Sequence, residues 1–162
     1  MGKEVKTNAM RMLDQKKIPY RVNLYECDEF VDGVSVADLL GQPYENSFKT
    51  LVTVGKSGGH YVFVVPIAEE LDFKKCARAV GEKSVEMIHL KDLTPLTGYI
   101  RGGCTAIGMK KQFPTVIHQS AKDFAEIIVS GGRIGAQIIL SPDDLARAVN
   151  AKFADIVKET AE

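Results

Sequence analysis

Phe48-Lys49-Thr50-Leu51-Val52-Thr53-Val54 and His60-Tyr61-Val62-Phe63-Val64-Val65 flank the segment Gly55-Lys56-Ser57-Gly58-Gly59. Both outer runs are rich in β-branched and aromatic residues, and the centre has the composition of a hairpin loop. Pro66, with no N–H to give a ladder, ends the second strand. Upstream, Tyr20-Arg21-Val22-Asn23-Leu24-Tyr25 alternates apolar and polar residues and reads as another strand. Before it, Ala9, Met10 and Leu13 share one face of a helix over 8–17, with Thr7 and Asn8 as caps; after it, Ser35 to Leu40 reads as a short helix closed by Gly41. Downstream, Phe73, Cys76, Ala77 and Val80 fall at i, i+3, i+4 and i+7 of a helix over 72–80, with Gly81 at its C′ position.

Short strands follow at Val85–His89, Thr115–His118, Glu126–Val129 and Gln137–Leu140. Ser141, Pro142 and Asp144 form a capping pattern for a last helix whose buried face is Leu145, Val149, Phe153 and Ile156. Seven short strands with helices mainly at the ends do not give the regular βαβ alternation of a doubly wound sheet. The pattern predicts an α/β domain with a mixed, curled sheet and helices packed outside it.

With 162 residues, 45% of them hydrophobic, the chain is long enough for one sizeable core, and no repeat, linker or low-complexity stretch divides it. One domain over 1–162 is expected. The 21 basic and 21 acidic side chains cancel, which argues against autonomous tight binding of nucleic acid while leaving room for a local basic patch. Cys27, Cys76 and Cys104 are odd in number and form no C-x-x-C pair, as expected of a reduced cytoplasmic protein. No apolar run approaches the length of a membrane span, the first residues lack the apolar core of a secretory signal, and Lys6 breaks the myristoylation pattern that Met1-Gly2 begins.

Several residues could carry chemistry. Lys49 sits inside an apolar run, on the same face as Leu51; it is either a solvated edge-strand lysine or an ammonium turned into a pocket to grip a phosphate or ribose. Gly98 to Gly108 holds four glycines in eleven residues, as suits backbone N–H groups converging on an oxyanion, although an ordinary connection can be as glycine-rich. Ser130-Gly131-Gly132-Arg133-Ile134-Gly135 raises the same question against a plain turn. Cys104, with His89 or His118 as base, is a candidate nucleophile whose bland alternative is a small apolar filler. His60, His89 and His118 show no metal-ligand spacing, and Asp143 and Asp144 are explained by their place in a first helical turn.

Taken in order, Phe48-Lys49-Thr50-Leu51, Gly98-Tyr99 with Gly102-Gly103 and Gly108, Lys110-Lys111, Val129-Ser130-Gly131-Gly132-Arg133 and Lys152-Phe153-Ala154-Asp155-Ile156 resemble the YbaK-type Cys-tRNA(Pro) deacylases. That family is related to the editing domain inserted in many prolyl-tRNA synthetases. The resemblance runs from about Thr7 to Ile156 and implies a curled, largely antiparallel mixed sheet with helices outside. It implies trans-editing hydrolysis of mischarged Cys-tRNA(Pro) in which the substrate's own thiol attacks its carbonyl, with no metal or cofactor. The implied partners are the acceptor end of tRNA(Pro) and, transiently, prolyl-tRNA synthetase.

The same resemblance gives Lys49 the 3′ end of the tRNA to hold, and gives Gly103 a backbone N–H facing the ester, so that Gly103→Ala is expected to lose activity more than stability. It makes Tyr25, Phe30, Gly102, Ser130 and Gln137 substrate-binding. The chain departs from the family where Gly-Gly-x-Ser-Pro-x-Gly becomes Gly102-Gly103-Cys104-Thr105-Ala106-Ile107-Gly108, and where Gln137 stands for an aspartate of some members. Two other readings remain open on the sequence: a non-catalytic tRNA- or nucleotide-binding module, and a Cys104-dependent ester or thioester hydrolase.

Overall fold

A computed structural model describes residues 6–27 and 31–159. The hairpin forms as its sequence predicts: β2 (Phe48–Gly55) and β3 (His60–Pro66) pair antiparallel from Phe48↔Pro66 to Val54↔His60. β3 is covered on both faces, which is why it reads as an unbroken apolar run rather than an alternating one. Val62 and Val64 join one hydrophobic cluster with Leu13, Ile117, Ile138 and Leu145, while Phe63 and Val65 join another with Cys76, Val116 and Ile156.

Among the described residues eight strands divide between two sheets. β1 (Arg21–Leu24), β7 (Ala136–Leu140) and β6 (Ile127–Ser130) make an antiparallel three-stranded sheet in the order β1-β7-β6. The second sheet has the order β4-β2-β3-β5-β8, where β4 is Val85–Met87, β5 Thr115–His118 and β8 Lys152–Ala154; β3–β5 and β5–β8 are parallel, so the sheet is mixed. The expected single curled sheet is therefore interrupted. Its two halves touch through one bridge, Ser47↔Ile128, and through the Ile128 N–H donating to the Asn46 carbonyl at 2.8 Å. Beside the bridge Ser47 also turns back to donate its hydroxyl to the Pro43 carbonyl at 3.2 Å.

Helices cover these sheets. α1 (Asn8–Gln15) buries Ala9, Met10 and Leu13, and its N-cap Thr7 also donates its hydroxyl to the Gly131 carbonyl at 2.6 Å. α2 (Gly33–Leu40) starts earlier than Ser35, because Asp32 caps the Ser35 N–H at 2.8 Å, and ends at Gly41 in the left-handed conformation. α3 (Phe73–Val80) buries Cys76 and Ala77, whereas Phe73 is left exposed. α4 (Leu93–Thr97) is a single turn absent from the sequence reading.

α5 (Pro142–Val149) begins as expected, with the Ser141 Oγ accepting the Asp144 N–H, yet it stops before Phe153. Asn150 takes a left-handed φ of 54°, a conformation asparagine tolerates and one that terminates the helix. Phe153 then lies in β8 and Ile156 is fully buried in the second cluster, beyond the helix to which their spacing assigned them.

Candidate active site

A cavity of about 600 Å3 opens at the seam between the sheets. Its walls come from β2 (Phe48 to Val52), from β6 and β7 (Val129, Ser130, Ala136, Gln137), from the start of α2 and from the loop at Arg101, Gly102 and Cys104. Met87, Ile88, Leu90 and Leu93 form an apolar side. Five of the seven residues expected at the site line this cavity: Lys49, Tyr25, Ser130, Gln137 and Gly102. Phe30 lies outside the described residues.

Lys49 is half-buried and makes no hydrogen bond or ion pair among the described residues. Burial holds its ammonium below the ordinary lysine pKa, with Glu70, Asp32 and Glu69 pulling the other way from a distance. Along β2 its neighbour is β3 alone, since β4 pairs only with Thr53 to Gly55. The lysine thus stands where the sheet edge is replaced by the cavity.

Opposite, the three-stranded sheet presents a polar row. Asn23 pairs across β1 with Gln137 of β7, and Gln137 pairs across with Ser130 of β6, so directly opposed side chains share one face. The Gln137 Oε1 accepts from Asn23 Nδ2 and Gln42 Nε2, both at 2.9 Å, while its Nε2 donates back to Gln42 Oε1 at 3.1 Å. The Ser130 Oγ accepts the Gly132 N–H at 3.3 Å, leaving its hydroxyl proton for another acceptor. Tyr25 is half-buried, and burial raises its phenol pKa against a backbone hydrogen bond at Gly135.

Gly103 is placed differently from its expected role. It is buried outside the cavity wall, and its N–H donates to the Ile100 carbonyl at 3.0 Å. A Cβ there would stand 2.7 Å from the Arg133 Cα, so the glycine lets the 98–108 loop press on the 131–135 turn. Two more glycines of these stretches press on the start of α1. A Cβ on Gly132 would meet Thr7 Cβ at 2.9 Å, and one on Gly108 would meet the Asn8 backbone at 2.9 Å; both also have left-handed φ. Tyr99 pins this packing by donating to the Ile107 carbonyl at 2.6 Å.

Cys104 borders the cavity, but burial pushes its thiol up to about 12, which leaves it protonated at neutral pH. Neither His89 nor His118 lines the cavity; His118 is buried elsewhere, its Nδ1 accepting the Ile156 N–H at 3.3 Å. No group of three or more His, Cys, Asp or Glu among the described residues could hold a metal ion. No helix among them is long and apolar enough to cross a membrane. Gln42, Asp32 and Arg101, not singled out by the sequence, also line the cavity.

Residues 31–148 match the model of the aminoacyl-tRNA editing domain. The chain belongs to that family. This editing domain is 51% identical over 152 residues, 93% of either chain, to the Enterococcus faecalis protein named "Putative Cys-tRNA(Pro)/Cys-tRNA(Cys) deacylase EbsC". Among solved structures it is similar to hypothetical protein APE2540, with a TM-score of 0.85, 22% identity and coverage of 93% of this chain and 99% of that one. It is also similar to "a putative trans-editing enzyme for prolyl tRNA synthetase", with a TM-score of 0.83, 23% identity and coverage of 96% and 100%. At these identities the two structures support the mixed α/β fold of this editing domain.

Proposed function

We propose that this chain is an aminoacyl-tRNA deacylase that hydrolyses mischarged Cys-tRNA(Pro) in trans, and that residues 1–162 make one editing domain. The observation that carries the reading is the desolvated Lys49 ammonium in the wall of a cavity of about 600 Å3, a volume suited to an aminoacyl-adenosine rather than to an amino acid alone. The 51% identical relative supports the substrate class by its name.

In this reading Lys49 grips the 3′ end of the tRNA, its charge strengthened by the partly dry wall. Ser130 offers its hydroxyl to the aminoacyl group, Gln137 completes the polar wall, and Tyr25 and Gly102 enclose the ester. Gly103 acts by packing, since its N–H is committed to Ile100. The ester is already activated, so holding it in a reactive geometry supplies much of the rate.

The cavity offers no ready protein nucleophile, with Cys104 protonated and both His89 and His118 elsewhere. The substrate thiol fits that vacancy. Its sulfur forms a bond to the ester carbonyl carbon, the bond to the ribose oxygen breaks, and the thiol proton ends on that oxygen. Water then opens the cyclic thioester to free cysteine. Alanine and proline lack the thiol and are spared.

The same account makes prolyl-tRNA synthetase a transient partner. The net charge is zero, the cations of α3 and those at Lys110 and Lys111 lie off the cavity, and Lys75 is paired with Asp155 at 2.9 Å. Weak, salt-sensitive tRNA binding follows, and tethering to the synthetase raises the effective concentration.

The test is a deacylation panel of Cys-, Ala- and Pro-tRNA(Pro) with Cys-tRNA(Cys), with and without the synthetase. Preferential release of cysteine supports the reading, and an effect of synthetase on rate or preference supports the partnership. Binding of every tRNA with no ester hydrolysis would leave a non-catalytic module.

A further inference from the structure

An aminoacyl ester carries a protonated α-amino group next to its carbonyl. An ammonium has only donors to offer, so a cavity that orients it needs a fixed acceptor in its wall. The Gln137 Oε1 is saturated by Asn23 and Gln42, and the Ser130 Oγ, which accepts from Gly132 and keeps a second lone pair, sits on a hydroxyl rotor that does not hold that lone pair in one direction. Thr50 adjoins Lys49 in β2, where the lysine charge repels a second cation. Asp32 stands exposed at the rim, capping α2 and within electrostatic reach of the same lysine.

Gln42 differs from all of these. Its Oε1 accepts one hydrogen bond, from Gln137 Nε2 at 3.1 Å, and keeps a lone pair. Its carboxamide is held at both ends, because its own Nε2 donates to Gln137 Oε1 at 2.9 Å. The Asn23 amide donates to the same Gln137 oxygen, so the three carboxamides form one connected network that holds Gln42 against β7. The result is an immobilised neutral acceptor in the cavity wall.

We infer that Gln42 is a specificity-determining residue whose carboxamide oxygen receives the α-ammonium of the aminoacyl group, with Gln137 positioning it. This rests on the deacylase reading.

Two non-hydrolysable probes separate the possibilities: 3′-deoxy-3′-(L-cysteinylamino)adenosine and its 3-mercaptopropionyl counterpart, which lacks the amine. Binding of each to the full chain is measured by calorimetry at pH 6.5, beside turnover of Cys-tRNA(Pro). The wild type should prefer the amine-bearing probe about ten-fold, as expected for one hydrogen bond to a charged group. Gln42→Ala should bind both probes alike, and Gln42→Glu, which keeps the acceptor, should restore or exceed the preference. Gln137→Ala should lose most of the preference, and adding Gln42→Ala to it should cost nothing more.

A folded Gln42→Ala protein that keeps the ten-fold preference overturns the inference while leaving deacylation intact. Equal loss in Gln42→Ala and Gln42→Glu also overturns it, by showing that the pair serves structure alone. A wild type that binds neither probe and turns over no charged tRNA sinks the deacylase reading instead.

Discussion

Replacing Gly103 by alanine places a methyl group 2.7 Å from the Arg133 Cα and 3.1 Å from the Arg133 N and C atoms. Carbon atoms in contact sit about 3.5–4.0 Å apart, so the 98–108 loop and the 131–135 turn must separate by roughly 1 Å. Neither side yields cheaply. Gly103 is tied to Ile100 at 3.0 Å, and the Gly131 N–H donates to the Ala136 carbonyl at 2.8 Å. Overpacking of this kind costs about 1–3 kcal/mol. Gly102 and Cys104 line the cavity from one side of the contact and Ser130 from the other, so the same shift displaces two parts of the wall. Stability and turnover should therefore fall together, against the sequence-based expectation that activity is lost more than stability. Equilibrium urea unfolding should show a lower midpoint at unchanged slope, with kcat/KM for Cys-tRNA(Pro) reduced in parallel. An unchanged midpoint with lost turnover would refute the packing argument and return Gly103 to the ester.

Lys49→Met should abolish most deacylation without destabilising the fold. Because burial lowers the Lys49 pKa, the unfolded chain holds that proton more tightly, and the penalty on the folded state is relieved only as pH rises through the lowered value toward 10.5. Any stability gained by the variant near pH 7 should thus shrink in alkaline urea titrations; a gain that grew with pH would contradict the assignment. His118 is likewise held below 6.5, burial outweighing Asp155. Its contribution is complete above pH 6.5 and is lost as pH falls toward the depressed value, so the urea midpoint should drop below pH 6.5, and less steeply in His118→Gln. Cys104→Ala should retain kcat within about two-fold, since a thiol with a pKa of about 12 supplies no thiolate at neutral pH; a thousand-fold loss would restore the Cys104 hydrolase.

The hairpin and the start of α5 were legible because their signals are local: β-branched runs around a glycine turn, and Ser141-Pro142 at a helix start. The end of α5 was not. Leu145, Val149, Phe153 and Ile156 keep a helical spacing by coincidence, and the stop comes from Asn150, where glycine is the usual signal. α4 is one turn with Pro95 inside it, too short to leave a periodic signal in the sequence. At the site, resemblance drew attention to Lys49, Ser130 and Gln137, which do converge. Gln42 carries no motif, and its partner lies 95 residues away, so only the tertiary fold reveals the pair.

The strand order of the larger sheet also bears on how the molecule is made. β8 is the last strand among the described residues, yet it lies parallel beside β5, and the residues after it stitch onto the approach to α3: Asp72 N–H to the Ile156 carbonyl at 3.0 Å, Lys158 N–H to the Glu70 carbonyl at 2.9 Å. The second core, closed by Ile156, cannot be completed until the ribosome has delivered that segment. A nascent chain halted before it would hold β5 as an open edge next to an unfinished core, the kind of surface that invites mispairing. Folding of this domain should therefore be limited by the long-range pairing of β8 and residues 156–158 with segments made much earlier.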